Sequence, residues 1–430
     1  MTSLPLPARN AAIGFILVTA VLDIVALGIV IPVLPALIEE FSGSNARAGV
    51  LNGLLITLWA MAQFIASPII GSLSDRFGRR PVILLSCAGL AADYVLMALA
   101  PGLWWLALGR IIAGVTASSF NTVYAYMADI TPPEQRARAF GLIGAAFSGG
   151  FIAGPLIGGL FGTISPRAPF WLAAGLSAVA FLYGLLVLPE SLARENRMAF
   201  SWRRANPFGA LMLLASRREL FGLSAVTFLM HFAHHVFTSV FVLYASYRYG
   251  WGAWEVGLLL SLVGALDVVV QGVLVGHAVR LWGDRATMIM GLFGGAFGVA
   301  CMGLAPSGLW LILAMIPNAL WALAMPTLQA LMTRTVSESE QGQLQGATMS
   351  LASVAGVLSP LFFGTVYAAS VDGGRFMAHP GAAFFIAAGV LFAAAVIGWV
   401  VARGVNAAAR SAGGRVGRPD ATGRSNGPTI

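Results

Sequence analysis

Long uninterrupted apolar runs, separated by short polar or Gly/Pro-bearing breaks, dominate the chain from about residue 12 to residue 403. The runs repeatedly exceed the ~18 residues that mark a membrane-crossing helix. They predict spans at about 12–38, 48–71, 81–100, 104–128, 139–163 and 169–188, then at about 219–247, 254–281, 286–305, 308–333, 343–370 and 379–403. The runs do not alternate with a period of two, so a β-barrel is excluded and helices are the remaining way to cross a bilayer. The first run is too long and too weakly basic in front for a cleaved signal peptide, and is expected to persist as span 1.

The pattern repeats. A shift of 205 residues, applied along the sequence, lays Gly71 on Gly276, Gly78 on Gly283, Arg80 on Arg285, Trp105 on Trp310, Pro155 on Pro360 and Gly159 on Gly364. One register held over several loops and spans predicts two related six-helix bundles, 1–188 and 219–403. Such an all-α design with two pseudo-symmetric halves is common in transporters that work around a midplane site. Residues 189–218, rich in Arg with a short apolar run at 210–214, read as a linker carrying an interfacial helix. Residues 404–430 read as a disordered tail.

Composition changes this picture only where it assigns sides. At 58% hydrophobic residues, the chain cannot be a water-soluble domain. The formal charge of +8 comes from 25 basic residues, all of them Arg. Apart from Arg110 inside span 4, only Arg47, Arg167, Arg248 and Arg375 fall on the side opposite the chain start. That asymmetry places both termini in the cytoplasm and removes the reason to expect nucleic acid as a partner. Cys87 and Cys301 both lie in apolar runs and predict no disulfide framework.

A chain without Lys has no phosphate-binding loop, and the common zinc, redox and serine-hydrolase signatures are absent too, so no enzyme activity is expected. An ion gradient remains as the energy source, with no cofactor and no resident metal. Acids inside spans cost about 2.5 to 3.5 kcal/mol each and ask for a reason. Asp23, Asp93 and Asp267 are such residues, with Arg110 as the candidate partner for Asp93 or Asp23; proton handling and structural ion pairing are both open readings. His231, His234 and His235 share helical spacing and read as packing or cavity histidines, or as a metal or proton site. Gly150, Gly154 and Gly158 form a small-residue stripe for close helix packing, and Pro155 interrupts the backbone ladder beside it.

Four stretches then carry a resemblance. GSLSDRFGRRPVIL (71–84) resembles the loop signature of the major facilitator superfamily. LDIVALGIVIPVLP (22–35), LALGRIIAGVTA (106–117) and GGFIAGPLIGG (149–159) are similar to signatures of its twelve-span drug/proton antiporters. GLAADY (89–94) and LQALMTRTVSESEQGQLQG (328–346) resemble bacterial tetracycline exporters. The resemblance implies the major facilitator fold, a bacterial inner-membrane location, monomeric function, and protons, lipid and a small amphipathic drug as partners, with a metal chelate among the candidate cargoes. It implies proton and substrate roles for Asp23, Asp93, Arg110 and Gln271. It also implies a gating loop of Gly71, Asp75, Arg76, Gly78, Arg79 and Arg80, with Asp75 latching the halves, and an antiporter motif of Gly150, Gly154, Pro155, Gly158 and Gly159.

Two departures follow from it. Asp267 stands where the family has His, and span 9 lacks the family's acid. Asp267, one turn from Gln271 on a common face, is the expected replacement for that acid. Uptake by proton symport and a non-transport sensor are the alternatives; the Gly-Pro signature argues against symport.

Overall fold

A computed structural model describes residues 6–117, 120–132, 135–198, 211–214, 218–337, 340–372 and 379–413. These residues form helices joined by short turns and connecting segments, without strands among them. Eleven stretches are long and apolar enough to cross a bilayer. One of them, Ala253–Leu304, has 52 residues, about 78 Å of helix against a hydrocarbon core of about 30 Å. It divides at Gly283, whose φ of 76° and ψ of 166° leave the helical region. The chain therefore crosses twelve times.

Span 1 is Ile13–Ser42, span 2 Asn45–Phe77, span 3 Arg79–Leu99, span 4 Leu103–Ile130, span 5 Ala139–Gly162 and span 6 Ala168–Val187. Span 7 is Arg218–Tyr249, spans 8 and 9 share Ala253–Leu304, span 10 is Gly308–Thr333, span 11 Gln343–Val371 and span 12 Ala382–Val401. The helix of span 12 continues to Gly413, into the segment read as a tail, and residues 414–430 lie outside the described residues.

Several local departures from plain helix were not visible as hydropathy. Span 1 runs on to Ser42 and breaks into turns at 31–33 beside Pro32 and Pro35, because each proline lacks the N–H of a continuous ladder. Span 7 widens to a π-helix at Phe237–Phe241, span 8 does so at Val270–Leu274, and span 10 tightens to 3-10 geometry at Leu320–Leu323. Leu211–Leu214 of the linker forms a four-residue helix with Leu213 and Leu214 buried on spans 7 and 11, so it docks on protein, not on the interface alone. Linker residues 199–210 and 215–217 are outside the described residues.

The first bundle packs chiefly through spans 1 on 5, 3 on 6 and 2 on 4, the second through 9 on 12, 7 on 12 and 7 on 11. Two long seams join the halves, span 2 on span 11 and span 5 on span 8. The repeat seen in the sequence reappears in them. A Cβ on Gly257 of span 8 would press on Pro155 and lie 3.1 Å from the Gly159 Cα, while one on Gly53 of span 2 would press on Pro360. Gly364, the repeat partner of Gly159, lies against Gly49 and Gly53. The matched Pro and Gly positions are thus the close-approach points of two equivalent seams.

Candidate functional site

Buried polar residues of the first half include Asp93 on span 3, Arg110 and Thr122 on span 4, and Thr19 and Asp23 on span 1. Asp93 is fully buried, and its Oδ2 lies 3.4 Å from Arg110 Nη2. Room for this pair comes from the residue before the arginine: a Cβ on Gly109 would sit 2.6 Å from Asp93 Oδ1. The glycine of LALGRI is therefore what lets a carboxylate reach Arg110 between two packed helices. Asp93 Oδ1 and Arg110 Nε have no hydrogen-bond partner, so the pair is incompletely satisfied. Arg110 takes Asp93 and not Asp23. Asp23 is 7% exposed, its Oδ1 is unpartnered, and it makes no ion pair among the described residues. Thr19, one turn before it, and Thr122 of span 4 also bury unpartnered hydroxyls. Buried polar groups without partners are costly and are candidates for receiving a proton or a polar ligand atom. The two threonines carried no sequence signal, since isolated Thr in a span is common.

Asp267 and Gln271 lie in the second half on span 8, away from that pair. Gln271 is exposed and lines a cavity of about 360 Å3 with Val268 and with Ala145, Ser148, Gly149 and Ile152 of span 5. Asp267 is half-buried one turn earlier and has no hydrogen bond or ion pair among the described residues. The π-turn at Val270–Leu274 keeps the two residues on nearly one face, since four residues come close to a full turn in either geometry. Span 9 has no space for an acid on the face it turns to span 10. Cβ atoms on Gly291, Gly294 and Gly295 would meet Ala324, Leu320 and Trp321 at 2.7–2.9 Å.

The antiporter motif divides between two neighbours. Gly150, Gly154 and Gly158 seat span 5 on Ile24, Val25, Gly28 and Ile29 of span 1, Gly159 faces span 8 across the seam, and Pro155 meets both, its ring toward Gly28 and its carbonyl toward Gly257. Ser261 Oγ donates to the Ile152 carbonyl across the same seam at 2.6 Å.

Among the described residues the two seams carry their close contacts toward one end. Toward the 43–45 turn, Tyr367 Oη donates to Asn45 Oδ1 at 2.6 Å. Deeper, buried Asn52 Nδ2 donates to the Ser239 carbonyl at 2.7 Å, and Thr57 Oγ1 to the Val357 carbonyl at 3.0 Å. The π-helix of span 7 begins at Phe237, so Asn52 reads carbonyls of that widened turn. Toward the 71–80 loop, Gly71, Gly141, Gly144, Gly272 and Gly276 have open space where a Cβ would be.

The loop residues lie at that open end and are not part of the buried set. Gly78 and Gly283 turn the chain with φ of 107° and 76°, a region that favours glycine. Asp75 pairs with Arg79 at 2.7 Å, and Arg79 also reaches Asp129 at 3.3 Å. Glu190 closes the start of span 3, accepting from the Arg79 N–H at 2.8 Å and the Arg80 N–H at 3.3 Å. It satisfies free donors of a helix N-terminus from over a hundred residues away, which no local pattern could announce. Gly71 and Arg76 join none of these bonds; Arg76 stacks on Phe77 at 5.1 Å. In the second half Asp284 pairs with Arg334 at 2.5 Å. Under the 205-residue shift Asp75, Arg79 and Asp129 fall on Arg280, Asp284 and Arg334, so these three positions invert their signs while Arg80 keeps its own on Arg285.

His231, His234 and His235 do not converge on a common ligand point, and among the described residues no three His, Cys, Asp or Glu side chains could share a metal.

Known proteins place this arrangement. The chain is 39% identical to the class C tetracycline resistance protein of Escherichia coli over 84% of its own length and 91% of that protein's. It is 35% identical to the class H protein of Pasteurella multocida over 84% and 90%. A nucleoside transporter of known structure superposes with a TM-score of 0.74 at 13% identity, covering 91% of this chain and 98% of the other, which shows a shared fold. With relatives this similar, and a family model for the Major Facilitator Superfamily that matches residues 16–360, the chain is a member of that superfamily.

Proposed function

We propose that the chain is a proton-coupled antiporter that exports a tetracycline-type or similar amphipathic drug by alternating access. The observation that carries this reading is a set of acids held inside the membrane, Asp23, Asp93 and Asp267, in a chain similar to tetracycline resistance proteins over most of its length. Acids so placed are rare and serve proton or substrate paths. The arginine asymmetry supports cytoplasmic termini in a bacterial inner membrane. On that orientation the tight end of the seams faces outward and the open end faces the cytoplasm, where a drug would enter. The chain is expected to work as a monomer, both halves of the site lying within one polypeptide.

Expression in an efflux-deficient bacterial host, challenged with a drug panel that includes tetracycline, tests this function. Raised resistance to at least one amphipathic drug is expected, and unchanged sensitivity to the whole panel contradicts it. Asp267 supplies the second-half proton site in this reading. Asp267→Asn then lowers uncoupler-sensitive efflux by at least about tenfold with normal membrane abundance, because a neutral amide cannot exchange the proton. Wild-type efflux by that variant removes Asp267 from the mechanism.

The sign-inverted clusters support a latch that closes the cytoplasmic end. Closing seams 2 on 11 and 5 on 8 brings Asp75 toward the turn that carries Arg334, and Arg280 toward the turn that carries Asp129. Asp75→Asn is expected to slow transport severalfold, since a charged contact contributes about 1 kcal/mol at a partly exposed site. The exchange Asp75→Arg with Arg334→Asp should recover activity that either single change loses. A double variant no better than the singles contradicts this pairing.

A further inference from the structure

We propose that His234, backed by Phe237 and Trp321, presents an aromatic wall that binds the flat conjugated ring system of the transported compound. This rests on the export reading above and assigns its substrate a place. His234 stands halfway along the 32-residue span 7, Arg218–Tyr249, and so at the depth where transporter sites lie. Its side chain is exposed, yet span 7 is enclosed by spans 10, 11 and 12 and, across the seam, by span 2. The exposed imidazole therefore opens to the interior of the protein and not to lipid.

Its surroundings are built to keep their shape. The His234 ring lies 5.6 Å from Trp321 at an interplanar angle of 73° and 5.9 Å from Phe237 at 51°. Phe237 and Trp321 are themselves 6.2 Å apart. Trp321 is 8% exposed and is seated on Gly295, where a Cβ would lie 2.9 Å from its side chain. The glycine face of span 9 thus admits an indole, which in turn supports the imidazole of span 7. Phe237 is backed by Phe384 at 6.5 Å and opens the π-helix, a deviation frequent at functional sites.

The other two histidines do not share this exposure. His235 turns to the seam, with Nδ1 3.4 Å from Thr238 Oγ1 and Nε2 3.3 Å from the Cβ position of Gly356, and His231 is half-buried. No carboxylate or arginine among the described residues hydrogen-bonds or ion-pairs with any of the three rings. The wall consequently offers stacking surface and the imidazole nitrogens, chemistry that suits a fused-ring compound with polar groups along its edge.

Binding to purified protein without a gradient tests the wall separately from transport. Tetracycline and ethidium are the flat probes, each followed by its own fluorescence. His234→Ala is expected to weaken binding by roughly tenfold, the upper range for one aromatic contact, while His234→Phe stays within about threefold of wild type. Binding unchanged in a folded His234→Ala protein overturns the wall and leaves the export reading standing. Failure of wild type to bind either probe also overturns the wall, and the export reading is then decided by the drug-panel assay alone.

Discussion

Asp93→Asn is expected to abolish drug efflux while the protein remains in the membrane at wild-type abundance. Asp93 is fully buried and holds Arg110 at 3.4 Å, with Gly109 clearing the space between their helices. Removing its charge strands the guanidinium, and breaking a buried pair from one side costs about 3 to 5 kcal/mol. A cost of that size, borne in one state of the transport cycle and relieved in another, shifts the balance between them by more than about a hundredfold. Resistance assays with immunoblotting of membranes check it. Retained resistance with Asn at this position shows that neither the pair nor the proton at Asp93 is needed. A variant missing from membranes reduces the pair to a structural role.

Gly154→Leu is expected to remove transport by a different route, through packing. A Cβ at Gly154 would lie 2.7 Å from the Gly28 Cα and 2.9 Å from the Val25 carbonyl oxygen. Both are backbone atoms, which cannot rotate aside as a side chain does. Overpacking in a core typically costs about 1 to 3 kcal/mol, and a backbone clash belongs at the top of that range. Span 1 carries Asp23 on the helix that would have to move. Loss of efflux together with a lowered melting temperature in detergent is the expected result. Normal values for both would show that spans 1 and 5 do not need this contact. Gly159→Leu distinguishes the two faces of span 5, because its obstruction falls on Ala253 and Trp254 of the other half.

Much of the architecture is legible in the residues because it depends on short-range rules. Apolar run length sets the twelve spans, and the single 205-residue register anticipates that Gly78 and Gly283 both turn the chain with positive φ. The same register anticipates that Pro155 and Pro360 stand at equivalent seams. Other features depend on which surfaces meet and leave no local trace. Arg110 had two candidate carboxylates on different helices, and only the three-dimensional packing selects Asp93. Glu190 as the cap of span 3, and Asn52 as donor to the widened turn of span 7, are set by contacts between distant segments. The π-turns in spans 7 and 8 leave the hydropathy unchanged, so periodicity passes over them. The missing acid of span 9 was readable as an absence. Its physical reason, a glycine face filled by Leu320, Trp321 and Ala324, was not.

Everted membrane vesicles containing the protein test the central claim most directly. With a proton gradient imposed, acid inside, they are expected to accumulate tetracycline or whichever drug the panel identifies, to lose that accumulation on adding an uncoupler, and to show none with Asp93→Asn. Accumulation that persists in the presence of uncoupler, or that is equal in vesicles lacking the protein, contradicts proton-driven export.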